Sequence, residues 1–286
     1  MNADGEIIRM RRYIHKYPET GGNEFNTAKF IETKLKEYAI PSKRIGKTGV
    51  LGVLKGGRCG KTAALRADMD ALPVQEDNKI DYKSKNDGIM HACGHDAHVA
   101  VMLGAARMLA GKKEKLKGAV KFLFQPSEET SDGAESLIRG GALKKPAVAM
   151  ILGIHVCPWI KSGKIGLKYG EMMSAVDKLK IDFEGEIAHG AYPHLGKDAL
   201  AAAASFINSA VASREVDPVS AVVVTFGKIN GGDSYNIICE HVSVEGTVRT
   251  LNNSVRKFVR ESIIRKLKAV ELAYGVKYKL VYQGVG

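Results

Sequence analysis

Long apolar runs are missing from this chain of 286 residues. None reaches the roughly 18 residues that a membrane-spanning helix needs, and the opening MNADGEIIRMRR lacks the apolar core of a signal peptide. C-x-x-C pairs are also absent. The four cysteines lie far apart, which is typical of reduced thiols rather than of a disulfide framework; they are Cys59, Cys93, Cys157 and Cys239. We therefore expect a soluble, cytoplasmic protein that has no membrane partner.

Two features of nucleic-acid-binding proteins are lacking as well: an arginine-rich arm and a series of interleaved basic and aromatic residues. The formal net charge is +12, but the lysines and arginines are scattered among acidic residues. A basic balance suits anionic small molecules equally well. We therefore predict that nucleic acid is not a partner.

The hydrophobic residues make up 45% of the chain, which at this length is enough for two cores. Apolar residues at helical spacing predict two helices within residues 6–38, separated by a break at 17–22. Strands and helices then alternate, which predicts a largely parallel sheet with helices on its faces. The predicted strands are 50–54, 62–69, 118–124 and 148–156, and the predicted helices are 96–111 and 134–143.

From residue 175 the pattern changes to the order βαββαβ, which is that of a ferredoxin-like sandwich. We therefore predict an α/β domain over residues 1–174 and a satellite domain over 175–286. The elements of the second domain are strands at 177–185, 220–229, 241–249 and 276–282, and helices at 198–213 and 254–274.

Cys93 and His95 lie two residues apart across a glycine, immediately before the predicted helix 96–111. Asp96 is a favoured type of residue for the cap of that helix. Thiolate and imidazole are common ligands of zinc and its neighbours, so the pair is half of a possible metal site. A buried cysteine beside a surface histidine is the ordinary alternative for such a pair.

Further polar groups come directly after the predicted parallel strands, at the edge of the sheet where ligands bind in α/β folds. Asp68 and Asp70 lie at the end of the strand 62–69, the pair Glu128–Glu129 comes after 118–124, and His155 ends 148–156. Since the 96–111 helix begins at the same edge, these segments are predicted to converge with Cys93 and His95 on one metal site.

The adjacent residues Glu128 and Glu129 can have two different roles. On an extended strand end successive side chains alternate, so one carboxylate would bind metal while the other faces the substrate as a general base. A solvated strand end is the ordinary alternative for the pair. Asp70 either orients a metal ligand or is a turn residue. His155 is either a metal ligand or a histidine buried in the core. We interpret His91 and His98 as structural.

With these residues the chain resembles the aminoacylase/carboxypeptidase-G-type metallopeptidase superfamily. Within it, the chain is most similar to the amidohydrolase branch that contains hippurate hydrolase and the indoleacetyl-amino-acid hydrolases. The stretches that carry the resemblance are RRYIHKYPETGGNE (11–24), LRADMDALPV (65–74), HACGHDAHV (91–99), FQPSEE (124–129), GIHVCP (153–158), GAYPHLGKDA (190–199) and GTVRT (246–250).

The resemblance implies a centre of two divalent metal ions, with zinc the first expectation and manganese, cobalt or nickel as plausible occupants. It implies that Cys93 bridges the two ions, that His95, Glu129 and His155 are further ligands, and that Glu128 is the catalytic base. Asp70 matches the superfamily's supporting aspartate, and Asp68 stands in place of a ligand histidine found in other branches.

The resemblance also gives roles to the second domain. His189 matches a histidine that in dimeric relatives reaches the partner's active site to stabilise the oxyanion, which implies a homodimer. Asn236 and Arg249 match positions associated with substrate contacts; a turn and a solvated strand end are their ordinary alternatives. One departure stands out: in the superfamily the chain returns to the first domain after the sandwich and supplies another histidine ligand. This sequence reaches Gly286, where the sandwich is predicted to end, so we expect exposed apolar sheet surface.

The resemblance therefore leads to three functional hypotheses. The first is a metal-dependent amidohydrolase that cleaves N-acyl amino acids into a carboxylate and a free amino acid. The second is a dipeptidase that uses the same site. The third is an inactive, truncated paralogue that dimerises and binds metal weakly.

Overall fold

The computed structural model describes residues 3–130, 132–211 and 221–285. The chain divides into two compact units, Met1–Lys164 and Ile165–Gly286. The sequence predicted the boundary between residues 174 and 175, and the division by contacts falls between residues 164 and 165. Within the described ranges, no helix combines the length and apolarity needed to cross a membrane.

In the part of the first unit that the structure describes, the sheet has five strands: β1 (Ser42–Ile45), β2 (Gly49–Lys55), β3 (Arg58–Asp68), β4 (Lys117–Gln125) and β5 (Val148–Gly153). Their order across the sheet is β1-β2-β4-β3-β5. β3 runs parallel to both β4 and β5, whereas β2 is antiparallel to both β1 and β4. All but β2 therefore run in the same direction, which confirms the largely parallel sheet.

Among the described residues of this unit, the α-helices that accompany the sheet are α1 (Ala3–Lys16), α2 (Phe25–Glu37), α3 (His95–Ala110) and α4 (Gly133–Arg139). The predicted break between the first two helices is confirmed. The core forms where Ile14 of α1 and Leu103 of α3 pack with Phe122 of β4. α4 is shorter than the predicted 134–143, since Gly140 and the left-handed Gly141 (φ 77°) come after its last residue.

Lys121 lies on β4 and is fully buried. Its Nζ donates to the carbonyl oxygens of Ala142 (2.7 Å) and Lys144 (2.8 Å), in the segment after α4. Burial lowers the pKa of this ammonium group. The two hydrogen bonds tie that segment to the sheet and satisfy a charge that would otherwise be very unfavourable in the core.

The strand β5 forms one edge of the described sheet and exposes apolar side chains. Met150, Ile151 and Leu152 are each about half exposed, at 52%, 52% and 51%. Exposed apolar sheet surface was expected in this unit, and β5 carries it in the part of the chain that the structure describes.

In its described residues the second unit contains a four-stranded antiparallel sheet with two α-helices. Its strands are β6 (Ala175–Glu184), β8 (Val222–Gly231), β10 (His241–Thr250) and β11 (Lys277–Val285), its helices are α5 (Ala199–Val211) and α6 (Asn253–Tyr274), and a two-stranded sheet is formed by β7 (Ala188–His189) and β9 (Ile237–Ile238). The strand order is β11-β6-β10-β8, and all three pairings are antiparallel.

This order confirms the ferredoxin-like sandwich. The ends of two predicted elements, residues 212–213 of the helix 198–213 and residue 220 of the strand 220–229, lie outside the described residues. A separate core fills the unit, where Ile181 and Phe183 of the sheet pack with Phe206 of α5 and Leu267 of α6.

Candidate metal centre

The candidate centre lies at the carboxyl-terminal edge of the three parallel strands of the first unit. β3 ends at Asp68, β4 ends at Gln125 and β5 ends at Gly153. The helix α3 begins at His95. Because parallel strands end at a common edge, the polar residues beyond their ends are brought together there.

Cys93, His95 and His155 meet at this edge. One ligand atom from each of them lies within 4.8 Å of those of the others. The Sγ of Cys93 is 3.3 Å from the Nε2 of His155. His95 is buried, Cys93 is partly buried and His155 is exposed, so the group opens to solvent on the side of His155.

The backbone fixes which nitrogen of each imidazole faces the cluster. His95 donates from Nδ1 to the carbonyl oxygen of Asp70 (2.9 Å), and its buried Nε2 has no hydrogen-bond partner within the described residues. His155 donates from Nδ1 to the carbonyl oxygen of Val156 (2.8 Å), so its Nε2 is directed at Cys93. A buried, unpartnered nitrogen is unfavourable, and a cation would satisfy it.

The loop that carries Cys93 depends on Gly94. This residue has a left-handed φ of 82°, and a Cβ built on it would lie 2.4 Å from Cγ2 of Val156. Only glycine combines that conformation with so close an approach. The loops that hold Cys93 and His155 are therefore packed directly against each other.

Asp96 does not cap α3, so that prediction is wrong. Gly94 occupies the N-cap position, without a side-chain cap. Asp96 is buried in the first helical turn, where its Oδ2 accepts from His15 Nδ1 (2.9 Å) and pairs with Nε of Arg11 (2.7 Å). The other ring nitrogen of His15 lies 3.2 Å from Glu76. A buried charge requires such partners, and here both come from α1, while Glu76 of a distant loop contacts His15.

Glu128 and Glu129 lie in a turn after β4 rather than on an extended strand end. Ser127, immediately before them, has a left-handed φ of 51°, and its amide donates to Oε1 of the buried Glu24 (2.8 Å). A carboxylate oxygen of each glutamate lies within 4.8 Å of the other and of one ring nitrogen of His95. The expectation that the two side chains alternate is therefore wrong, because the backbone is no longer extended.

Asp70 contacts both sides of the cluster. Its Oδ2 accepts from the backbone amide of Glu129 (3.0 Å), and its Oδ1 lies 3.3 Å from Nδ1 of His95. Burial disfavours the charged carboxylate, but the hydrogen bonds from His95 and from the amides of Glu129 and Glu128 outweigh it and hold the pKa of Asp70 below its usual value. Asp70 is thus an ionised link between His95 and the Glu128–Glu129 turn.

Negative charge is concentrated at the cluster. Burial, together with the charges of Glu129, Glu128 and Asp68, raises the pKa of the Cys93 thiol to about 12. Burial, together with the charges of Asp68 and Glu129, raises the pKa of Glu128. A divalent cation would relieve this repulsion and favour the thiolate.

His98, which the sequence led us to treat as structural, also lies at the cluster. One ring nitrogen of His98, one of His95 and one oxygen of Asp68 lie within 4.8 Å of one another, and all three residues are buried. Asp68 also pairs with Arg66. The spacing of His95 and His98 on α3 is i, i+3, which puts both on one helix face and is the signal that would have identified His98.

The three residues of the second unit that were predicted to contribute to the site, His189, Asn236 and Arg249, are exposed. His189 lies on β7, and the amide of Gly190, the next residue, donates to the carbonyl oxygen of Asn236 (2.7 Å), so the loops of His189 and Asn236 are adjacent. Arg249 lies on β10. The roles of these three residues stay predictions.

Comparison with known proteins identifies the family. The model of peptidase family M20/M25/M40 matches residues 64–270. The chain belongs to this family. An N-acetyl-L-cysteine deacetylase of Bacillus subtilis is 42% identical over 95% of the chain and 66% of that protein, and the hippurate hydrolase of Campylobacter jejuni is 40% identical over 98% and 73%. The resemblance inferred from the motifs is confirmed.

A solved structure agrees with this membership. The YXEP protein of Bacillus subtilis, described as a dinuclear metal-binding M20 peptidase, superposes with a TM-score of 0.86 at 35% identity. The match covers 99% of this chain and 74% of that one. The chain thus spans about two thirds to three quarters of the length of these relatives.

Proposed function

We propose that the chain is a metal-dependent amidohydrolase that cleaves the amide bond of N-acyl amino acids to a carboxylate and a free amino acid. The observation that carries the proposal is the cluster of Cys93, His95 and His155 beside the Glu128–Glu129 turn. The names of the relatives, a deacetylase of N-acetylcysteine and a hydrolase of hippurate, support this substrate class.

The residues that would hold two divalent cations are Cys93, His95, Glu129 and His155. One thiol, two imidazoles and a carboxylate suit zinc, and manganese, cobalt or nickel are alternative occupants. The unpartnered Nε2 of His95 and the Nε2 of His155 that is directed at Cys93 agree with this assignment. Bound cations would polarise the amide carbonyl and make a neighbouring water more acidic.

Glu128 is the proposed general base. It takes a proton from the attacking water and then donates it to the departing amide nitrogen, so the same carboxyl group serves both steps. Burial raises the pKa of this carboxyl group above its usual value. Asp70 holds His95 and the turn that carries Glu128 in a fixed arrangement.

The second unit is proposed to complete the site of a homodimer. Nδ1 of His189 accepts from the amide of Ala191 (3.1 Å), so the neutral ring carries its proton on Nε2 and can donate it to an oxyanion. Arg249 suits the carboxylate of an amino-acid substrate, and Asn236 offers both a donor and an acceptor. We also propose a cytoplasmic location, where the four free cysteines stay reduced.

The test is release of free amino acid from hippurate and from N-acetylmethionine, with zinc, manganese, cobalt or nickel added. Glu128→Gln is expected to lower kcat by a factor of about 10²–10⁴ without loss of bound metal. Glu135→Gln, on the exposed surface of α4, is the matched control. A wild-type chain that binds cations but releases no amino acid would contradict the proposal and favour the inactive paralogue. Faster cleavage of dipeptides with free amines would favour the dipeptidase.

A further inference from the structure

The ring of His98 bridges the two sides of the candidate centre. Its Nε2 accepts the backbone N–H of Val156 (3.1 Å), on the loop after β5. Its Nδ1 lies 3.7 Å from Oδ2 of Asp68 at the end of β3. The side chain is fully buried, so both nitrogens are shielded from water.

The hydrogen bond from Val156 identifies Nε2 as the acceptor nitrogen of the His98 ring. A neutral imidazole that accepts at Nε2 carries its proton on Nδ1. His98 therefore offers no free lone pair to a cation, although its nitrogen lies within 4.8 Å of ligand atoms of Asp68 and His95. The Nδ1 proton instead faces the carboxylate of Asp68, at a distance too long for a hydrogen bond.

The peptide groups of Val156 connect His98 to the proposed ligand His155. The N–H of Val156 is held by His98, and its carbonyl oxygen accepts from Nδ1 of His155 (2.8 Å). The rings of His98 and His155 are also in edge contact, with centroids 4.6 Å apart and planes at 78°. His155 is itself exposed, and these contacts restrict its orientation together with those to Cys93 and His95.

We propose that His98 is a positioning residue of the metal centre: by accepting the N–H of Val156 it sets the backbone that orients His155 toward Cys93. This inference rests on the proposed function, because it takes His155 as a ligand. The acceptor at Nε2 carries the effect, and the Nδ1 proton contributes only a long-range attraction to Asp68. Outer partners of ligand histidines commonly change metal affinity by about 10- to 100-fold.

Three variants separate the two arms of the ring. His98→Gln places an acceptor near the position of Nε2 and loses the donor at Nδ1. His98→Asn places an amide near Nδ1 and cannot reach Val156, and His98→Ala loses both arms. Metal affinity by chelator competition and the thiolate-to-metal absorption band of the cobalt-loaded chain are the readouts. His241→Gln, exposed on β10 of the other unit, is the control.

The alanine and asparagine variants are expected to bind metal about 10- to 100-fold more weakly and to shift the cobalt band, with unchanged stoichiometry, and the glutamine variant to restore both. Equal loss in all three variants, together with one fewer bound cation, would make His98 a ligand and overturn the inference. Affinities equal to wild type in all three would also overturn it. A wild-type chain that binds no cation refutes the proposed function, and this inference with it.

Hydrogen exchange at the Val156 amide provides a readout that does not depend on metal. Protection in the metal-free chain is expected in wild type and His98→Gln, and is expected to be lost in His98→Ala and His98→Asn. Exchange that is equally slow in the alanine variant would show that His98 does not hold this amide. Circular dichroism of each variant shows that the comparison is made on folded chains.

Discussion

The backbone amide of Ser127 donates to the fully buried carboxylate of Glu24 at 2.8 Å. The other oxygen of this carboxylate accepts from the hydroxyl of Thr48 (2.6 Å). Ser127 is the left-handed residue that turns the chain into Glu128 and Glu129. Glu24, at the start of α2, therefore stabilises the turn that carries the proposed base.

Replacement of Glu24 by alanine tests this link. Glu24→Ala leaves the Ser127 amide and the Thr48 hydroxyl without a partner, at a cost of about 1–3 kcal/mol for each buried group. We also expect kcat to fall by a factor of about 100, because the Glu128 turn is no longer fixed. Urea unfolding and hydrolysis assays measure the two effects. Glu37→Ala, at the exposed end of α2, is expected to change neither; a fully active Glu24→Ala chain would contradict the link.

Asp70→Asn tests the link between His95 and the glutamate turn. The side chain keeps its size but loses the charge that attracts the Nδ1 proton of His95 and the amide of Glu129. Metal affinity is expected to fall by about 10- to 100-fold, as measured by chelator competition. Asp87→Asn, in an exposed loop, serves as the control. Unchanged affinity in Asp70→Asn would argue that the backbone carbonyl alone orients His95.

The thiol of Cys93 makes metal binding depend on pH. Since its pKa is about 12, the thiol is protonated at pH 8–9, and a cation that takes the thiolate must release that proton. The affinity is therefore expected to rise about tenfold for each pH unit in this range. Cys93→Ser should bind more weakly and lose this dependence. Calorimetry in buffers of different ionisation enthalpy counts the released protons, and a count of zero for wild type would exclude Cys93 as a ligand.

The buried His15 is expected to make stability depend on pH in the opposite direction to a carboxylate. Its hydrogen bond to Asp96 raises its pKa above 6.5, against the effect of burial, and Glu76 adds to the increase. Because the folded chain favours the protonated ring, His15 stabilises it fully below about pH 6.5, the pKa of histidine in the unfolded chain. This contribution is lost as pH rises through the pKa of His15 in the folded chain.

His15→Gln should therefore destabilise the chain more at pH 6 than at pH 9. We expect a loss of about 1.5–3 kcal/mol at pH 6, the usual range for a hydrogen bond to a charged group. Urea unfolding at the two pH values measures the difference. His194→Gln, exposed in the second unit, is expected to show none. A larger loss at pH 9 would mean that His15 is buried in its neutral form.

The sequence predicted the elements of both units well because their periodicity is a local property. Strands such as β4 and helices such as α6 are continuous apolar patterns, and the order βαββαβ is sufficient to indicate the second sandwich. The convergence of Cys93, His95 and His155 was also predictable, since the carboxyl ends of parallel strands bring their adjoining loops to one edge of the sheet.

The details that the sequence missed depend on partners far along the chain. Asp96 is of a residue type that often caps helices, but here it pairs with Arg11 and His15. The residues around Asp96 do not predict these partners. The alternation expected for the glutamate pair failed because Ser127 adopts a left-handed conformation, which is uncommon for a residue other than glycine. The role proposed for His98 depends on a backbone amide 58 residues away.

The ammonium group of Lys121, buried between the carbonyl oxygens of Ala142 and Lys144, has a practical consequence. While the sheet is intact, amine-reactive acylating reagents should modify the surface lysines and spare this one. Its slow acylation would then record how often β4 and the segment 142–144 separate. The acylation rate of this one side chain would therefore report local opening of the unit that holds the proposed metal ligands.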